Sequence, residues 1–176
     1  MKIFKTEIKD LLIIKKQTFN DNRGFLRELY KKNILSDEFK FDILSKSKKN
    51  VLRGLHLQKK NQQGKYVTIL NGKVFDVAVD LRKNSKTFGQ HVSLILSGKE
   101  NVSFYIPPGF AHGFCTLEEN TIVHYKCTNY RDKDSELGII WNDPSLKIKW
   151  PIKKPIISKK DNKNMSFKEY KKKYFD

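Results

Sequence analysis

Between residues 65 and 127 the chain is a succession of short apolar runs, each closed by a turn signal, and this pattern limits its fold most. Lys65-Tyr66-Val67-Thr68-Ile69-Leu70 ends at Asn71-Gly72, a dipeptide that predicts a tight hairpin. Lys73 to Asp80 alternates with a period of two, Val74 on one face and Phe75, Val77 and Val79 on the other. His91 to Leu96 stops at Ser97-Gly98, Val102 to Ile106 stops at Pro107-Pro108-Gly109, and Thr121 to Cys127 makes a further run. Strands this short and this evenly spaced predict an all-β sandwich, barrel or jelly roll. Helix is expected only near residues 31–39 and in the basic tail, residues 162–176. There Ser166 and Glu169 form a capping-box pattern, and Phe167, Tyr170 and Tyr174 follow at helical spacing. The tail reads as a helix docked on the surface.

No linker or internal repeat divides the 176 residues, so the sequence is read as one unit. A hydrophobic share of 38% with 12% aromatics excludes a disordered chain. The early apolar run, Leu11 to Ile14, is too short for a secretory core or a membrane span, and the expectation is a cytoplasmic protein. Cys115 and Cys127 have no metal-binding spacing and are too few for a disulfide scaffold. The net charge of +17 comes from lysines scattered in pairs and triplets, such as Lys15-Lys16 and Lys171-Lys172-Lys173. No aromatic interleaving accompanies them, so no nucleic-acid partner is expected. Such a field does steer a small anionic substrate.

Of the histidines, His56 lies in Arg53-Gly54-Leu55-His56 and His112 in Pro107-Pro108-Gly109-Phe110-Ala111-His112. The second segment matches P-x-G-x-x-H, the latter half of the cupin motif. Metal-binding cupins add an H-x-H pair, because a divalent ion needs several converging ligands. The position two beyond His56 is Gln58, so the pair is missing. The expected fold is therefore a cupin-type jelly-roll β-barrel with short peripheral helices, holding no metal. Its chemistry falls to side-chain acids and bases.

Further motifs occur in order. F-x-D-x-R-G-x-x-x-E stands as Phe19, Asp21, Arg23, Gly24 and Glu28, and S-x-S-x-x-x-V-L-R-G-L-H as Ser45, Ser47 and Val51 to His56. Q-G-K is Gln63 to Lys65, P-P-G-F-A-H-G-F is Pro107 to Phe114, and Y-K-C-T-N-Y is Tyr125 to Tyr130. W-N-D-P is Trp141 to Pro144; W-P and S-x-K-D close the series at Trp150-Pro151 and Ser158 to Asp161. In this the chain resembles the dTDP-4-dehydrorhamnose 3,5-epimerases over nearly all of residues 1–162. The resemblance implies His56 as base, oriented by Asp161, Tyr125 as acid on the opposite face of the sugar, and Lys65 near the ketone oxygen. It implies substrate contacts from Arg23, Glu28, Arg53, His112, Arg131, Glu136 and Lys160. It also implies no cofactor, and a homodimer in which Arg23 and Glu28 reach the neighbour's site. Taken singly, Lys65 reads as a solvated lysine, Tyr125 as a core tyrosine and Asp161 as a surface carboxylate. Their joint occurrence in family order reverses those readings.

These residue types suit a nucleotide-linked 4-keto-6-deoxy sugar. The C4 carbonyl acidifies the hydrogens on C3 and C5, and an ammonium stabilises the enolate formed by removing one. A neutral imidazole with a carboxylate partner is a suitable base near pH 7, and a phenol on the far face returns the proton with inversion. Arginine forks match a pyrophosphate. Two departures fall in the nucleotide region. Phe41 and Ile43 stand where the family commonly has Gln and Asn, and Arg131 where it has a second tyrosine. Lost amides remove donors and acceptors that read a base edge. A GDP-linked 4-keto-6-deoxy sugar or heptose, or action at C3 only, therefore stands as the alternative substrate reading. The alternative class is a non-catalytic sugar-nucleotide-binding barrel.

Overall fold

The computed structural model describes residues 1–175; Asp176, the end of the expected tail, lies outside the described residues. The strands in chain order are β1 (Lys2–Lys5), β2 (Leu12–Lys15), β3 (Thr18–Asp21), β4 (Gly24–Arg27), β5 (Phe41–Ser47), β6 (Leu52–Gln58) and β7 (Lys65–Asn71). They continue as β8 (Lys73–Asp80), β9 (His91–Ser97), β10 (Val102–Ile106), β11 (Phe110–Thr116), β12 (Thr121–Cys127) and β13 (Glu136–Gly138). Among the described residues one α-helix, α1, spans Phe167–Tyr174. A six-stranded sheet, β1-β2-β10-β7-β12-β5, faces a five-stranded one, β13-β6-β11-β8-β9, and every ladder is antiparallel. Val67, Ile69, Phe104, Ile106 and Val123 of the first sheet meet Val74, Ala78, Leu96 and Phe114 of the second in one buried core. Each large side chain fully withdrawn from water there contributes roughly 1.5–3 kcal/mol.

From β5 to β8 the chain changes sheet at every connection, as in a jelly roll. Asn71-Gly72 is therefore a corner and not the hairpin its sequence predicts, because β7 and β8 lie in different sheets. Gly72 is required there: its φ is +77°, and a β-carbon would come within 2.9 Å of the Thr121 Cα. The alternation in β8 does sort as read. Val74 and Ala78 enter the inter-sheet core, while Val77 and Val79 point outward. A second cluster covers them, made with Leu55, Leu57, Ile139, Leu146 and Tyr170.

Tyr170 belongs to α1 and is 2% exposed, so the helix is packed on this second cluster. Ser166 Oγ accepts from Glu169 N (3.2 Å) and Glu169 Oε2 accepts from Ser166 N (2.7 Å), completing the capping box. Asp143 Oδ2 accepts from Phe167 N at 2.7 Å. The helix expected near residues 31–39 does not form; only Lys32–Ile34 make a 3-10 turn. Tyr30, Ile34, Leu35 and Phe39 instead lie along the outer face of the six-stranded sheet, over Ile14, Tyr66 and Tyr105. Covering that surface outweighs a helical spacing with weak formers such as Asn33 and Ser36. β3 and β4 form a separate two-stranded arm, with Phe25 and Leu26 63% and 66% exposed. No described helix is long and apolar enough to cross a membrane.

Candidate active site

The glycine of Arg53-Gly54-Leu55-His56 explains how its histidine is placed. Gly54 has φ +121°, and a β-carbon on it would meet Gly113 Cα at 2.5 Å and the His112 carbonyl at 2.7 Å. Only glycine lets β6 press this closely on β11. His56 and His112 then stand opposite each other across the ladder. His56 Nε2 lies 2.7 Å from Asp161 Oδ1, and Asp161 Oδ2 accepts from Gly54 N at 3.3 Å. Burial alone pushes the Asp161 carboxyl up, but the His56 hydrogen bond, with those from Gly54 and Ser158, outweighs it and holds the group below its ordinary range. An ionised carboxylate only accepts, so in the neutral form of the ring the proton sits on Nε2 and Nδ1 carries the lone pair.

A second histidine–carboxylate pair sits alongside. His112 Nε2 is 2.9 and 3.1 Å from the two oxygens of Asp76, and both residues are buried. Sequence reasoning missed Asp76, although its position was a signal. It shares the inward face of β8 with Val74 and Ala78, where an isolated carboxylate would be costly.

The facing sheet supplies Lys65 from β7, Tyr125 and Cys127 from β12, and Ile43 and Ser45 from β5. The Tyr125 hydroxyl lies 3.4 Å from Ser45 Oγ, and its ring centre is 6.2 Å from that of His112. Burial pushes the Tyr125 phenol up, so it is protonated at neutral pH. Burial pulls the Lys65 ammonium down, against the opposing pull of Cys127, Glu136 and Asp76. At the mouth, Glu136 Oε2 accepts from Arg131 Nε (3.0 Å) and Nη2 (2.6 Å), while Oε1 pairs with Lys160 Nζ at 3.3 Å. Arg53 donates to Ser47 Oγ through Nε and Nη2 at 3.2 Å.

His56, Asp161, Tyr125, Lys65, Arg53, His112, Arg131, Glu136 and Lys160 line one cavity of about 570 Å³. Arg23 and Glu28 do not. Arg23 is at the tip of the β3–β4 arm, its side chain 84% exposed and paired with Asp21 at 2.7 Å, and Glu28 pairs with Lys31 at 2.8 Å. Both sit on the arm and its exit, outside this chain's own cavity; the resemblance assigns them to a neighbour's. Of the nucleotide-region departures, Ile43 lines the cavity, whereas Phe41 stacks on Tyr130 with ring centres 5.6 Å apart. Gln58, Gln63, Ser45 and Cys127 also line it and were given no role from sequence. The cavity thus holds an imidazole on one sheet and a phenol on the other, with ammonium and guanidinium groups around them.

The family model described as dTDP-4-dehydrorhamnose 3,5-epimerase matches residues 5–169. The chain is 48% identical over 169 residues to the dTDP-4-dehydrorhamnose 3,5-epimerase of Salmonella typhimurium, covering 92% of each chain. Among solved structures, the Elizabethkingia anophelis dTDP-4-dehydrorhamnose 3,5-epimerase superposes with a TM-score of 0.91 at 45% identity, covering 96% of this chain and 97% of that one. The Legionella pneumophila dTDP-6-deoxy-D-glucose-3,5-epimerase, in complex with dTDP-4-keto-L-rhamnose, superposes with a TM-score of 0.90 at 44% identity, covering 94% and 92%. Sequence motifs, fold and comparisons converge: the chain belongs to the dTDP-4-dehydrorhamnose 3,5-epimerase family.

Proposed function

We propose that the chain epimerises a dTDP-linked 4-keto-6-deoxy sugar at C3 and C5, with His56, Tyr125, Lys65 and Asp161 as its working groups. The observation that carries the assignment of roles is the division of the cavity. The His56–Asp161 pair belongs to the side of one sheet, and Tyr125 with Lys65 projects from the other. His56 Nδ1 takes the proton from C3 or C5, the C–H electrons form a carbon–carbon double bond, and the carbonyl electrons move to O4. The Lys65 ammonium meets that charge. Asp161 stabilises the imidazolium. Tyr125 then donates its hydroxyl proton to the opposite face of the same carbon, the enolate returns to the ketone, and both residues re-equilibrate with water. Arg53, Arg131 and Lys160 hold the diphosphate end, and His112, backed by Asp76, contacts the sugar. Family membership favours dTDP over the GDP-linked alternative that Phe41, Ile43 and Arg131 raise.

The working unit in this reading is a homodimer, in which Arg23 and Glu28 complete the neighbour's cavity. The arm supports this: it leaves Phe19, Phe25 and Leu26 uncovered. The test incubates the enzyme with dTDP- and GDP-linked 4-keto-6-deoxy sugars in deuterated water and reads C3 and C5 by NMR. Deuterium at both carbons of the dTDP sugar, with inversion, is the expected result. Label at C3 alone reduces the activity to mono-epimerisation, and a GDP preference overturns the nucleotide assignment.

A further inference from the structure

Asp161 is delivered to His56 by a strap, residues 156–165, pinned at both ends. At one end Ile156 bridges Val51, with Ile156 N donating to Asn50 O (2.8 Å) and Leu52 N to Ile156 O (2.9 Å). At the other, Met165 bridges Ile139, and Ile140 N donates to Met165 O at 2.8 Å. Between them Asp161 opens a 3-10 turn, its N–H donating to Ser158 Oγ at 3.0 Å, and Asn164 closes that turn.

Asn164 occupies an unusual place. Gly138 on β13 stands directly opposite His56 on β6, and directly opposite residues share a sheet face. A β-carbon on Gly138 would overlap Cγ, Oδ1 and Nδ2 of Asn164 together. The Asn164 amide therefore fills the side-chain space beside the imidazole that Gly138 leaves open. Gly138 needs no left-handed backbone, and the nearest obstacle to a larger residue there is the Asn164 side chain. The Asn164 Nδ2 is buried without a hydrogen-bond partner, so packing and not hydrogen bonding holds this amide.

We infer that Asn164 is a positioning residue, a peg seated over Gly138 that fixes the strap and so holds the Asp161 carboxylate on His56. The inference rests on the His56–Asp161 reading given above. Base and carboxylate sit on separate segments, met by the 2.7 Å His56 contact and the 3.3 Å bond from Gly54 N, and the placement of the carboxylate depends also on what fixes the strap beside β6. A misplacement of about 1 Å at such a contact can cost ~10²-fold in rate.

The test measures kcat and KM for Gly138→Ala, Asn164→Ala and their double variant, in the wild-type and the Asp161→Asn background, with melting temperature as the control for folding. Gly138→Ala drives the peg out and Asn164→Ala removes it; each is expected to lower kcat about tenfold or more with KM little changed. In the double variant the new methyl takes the vacated space, and kcat recovers to within about threefold of wild type. In the Asp161→Asn background each single change is expected to alter kcat by less than about twofold, because the group it places is already gone. Folded Gly138→Ala and Asn164→Ala enzymes with wild-type kcat overturn the inference, as does a loss that persists undiminished without Asp161. Should Gly138→Ala not fold, Asn164→Ala in the two backgrounds decides alone. An Asp161→Asn enzyme of wild-type activity sinks the His56–Asp161 reading itself and the peg with it.

Discussion

Replacing Asp161 by asparagine removes one charge from the site with almost no change in volume. The carboxylate lies 2.7 Å from His56 Nε2, with 7% of its side chain exposed against 29% for the imidazole, so solvent screens the pair only in part. When His56 takes a proton the imidazolium faces that carboxylate, and the charge centres are about 4 Å apart. At an effective dielectric near 20 the attraction is of order 4 kcal/mol, and a hydrogen bond to a charged group is worth about 1.5–3 kcal/mol by mutation. The barrier should rise by about 2–4 kcal/mol, a loss of roughly 30- to 1,000-fold in kcat. The amide can also present its NH₂ to Nε2, which would place the imidazole proton on Nδ1 and block the base. That adds to the loss. The assay follows deuterium entry at C3 and C5 by NMR under saturating substrate, with a thermal melt to establish that the variant is folded. A folded variant within threefold of wild type would mean that the carboxylate does not stabilise the protonated base, and the reasoning would fail.

Tyr125→Phe is expected to separate exchange from inversion: His56 still removes and returns a proton, so deuterium enters the sugar, while inverted product falls by ~10²-fold or more. Equal loss of both, in NMR of the same sample, would place the phenol elsewhere in the reaction. Because burial holds the Lys65 ammonium below its ordinary range, its charge is lost as pH rises, and kcat should decline at a pH below the ~10.4 of a free lysine. The Tyr125 phenol is pushed the other way and does not titrate in that window. Lys65→Met should remove this alkaline limb and cost about 10²–10³-fold, which a pH–kcat profile reads directly. Tyr170→Ala empties a site 2% exposed under the tail helix. At about 3–5 kcal/mol the melting temperature should fall by roughly 6–20 °C, and a shift under 2 °C would mean that the helix is not part of the packed structure.

Much of this was legible in the sequence because the relevant signals are local. Strand-length runs such as Val102 to Ile106, and the Ser166–Glu169 capping box, fix conformation within a few residues. The residues that line the cavity fall in motifs of fixed spacing, which is why they could be named from the sequence. What failed was non-local. Asn71-Gly72 specifies a tight turn but not which partner the next strand takes, and pairing in this barrel is settled by the facing sheet. Residues 31–39 carry a helical spacing, yet they lie extended over Ile14, Tyr66 and Tyr105 of the six-stranded sheet. Asp76 has no motif of its own and takes its meaning from His112, 36 residues away. Gly138 and Asn164 are likewise unreadable until the strap is laid against β13.

Because the His56 imidazole and the Tyr125 phenol project from opposing layers, the gap between them is set by the thickness of the hydrocarbon filling behind them, by Leu96, Phe104 and Val123. Such fillings are packed as tightly as crystals and transmit small changes in volume. Stereochemical outcome is thereby coupled to residues that never meet the sugar. A methylene added or removed deep in the sandwich would move the two proton-transfer groups nearer together or farther apart. The ratio of singly to doubly inverted sugar would then report on it.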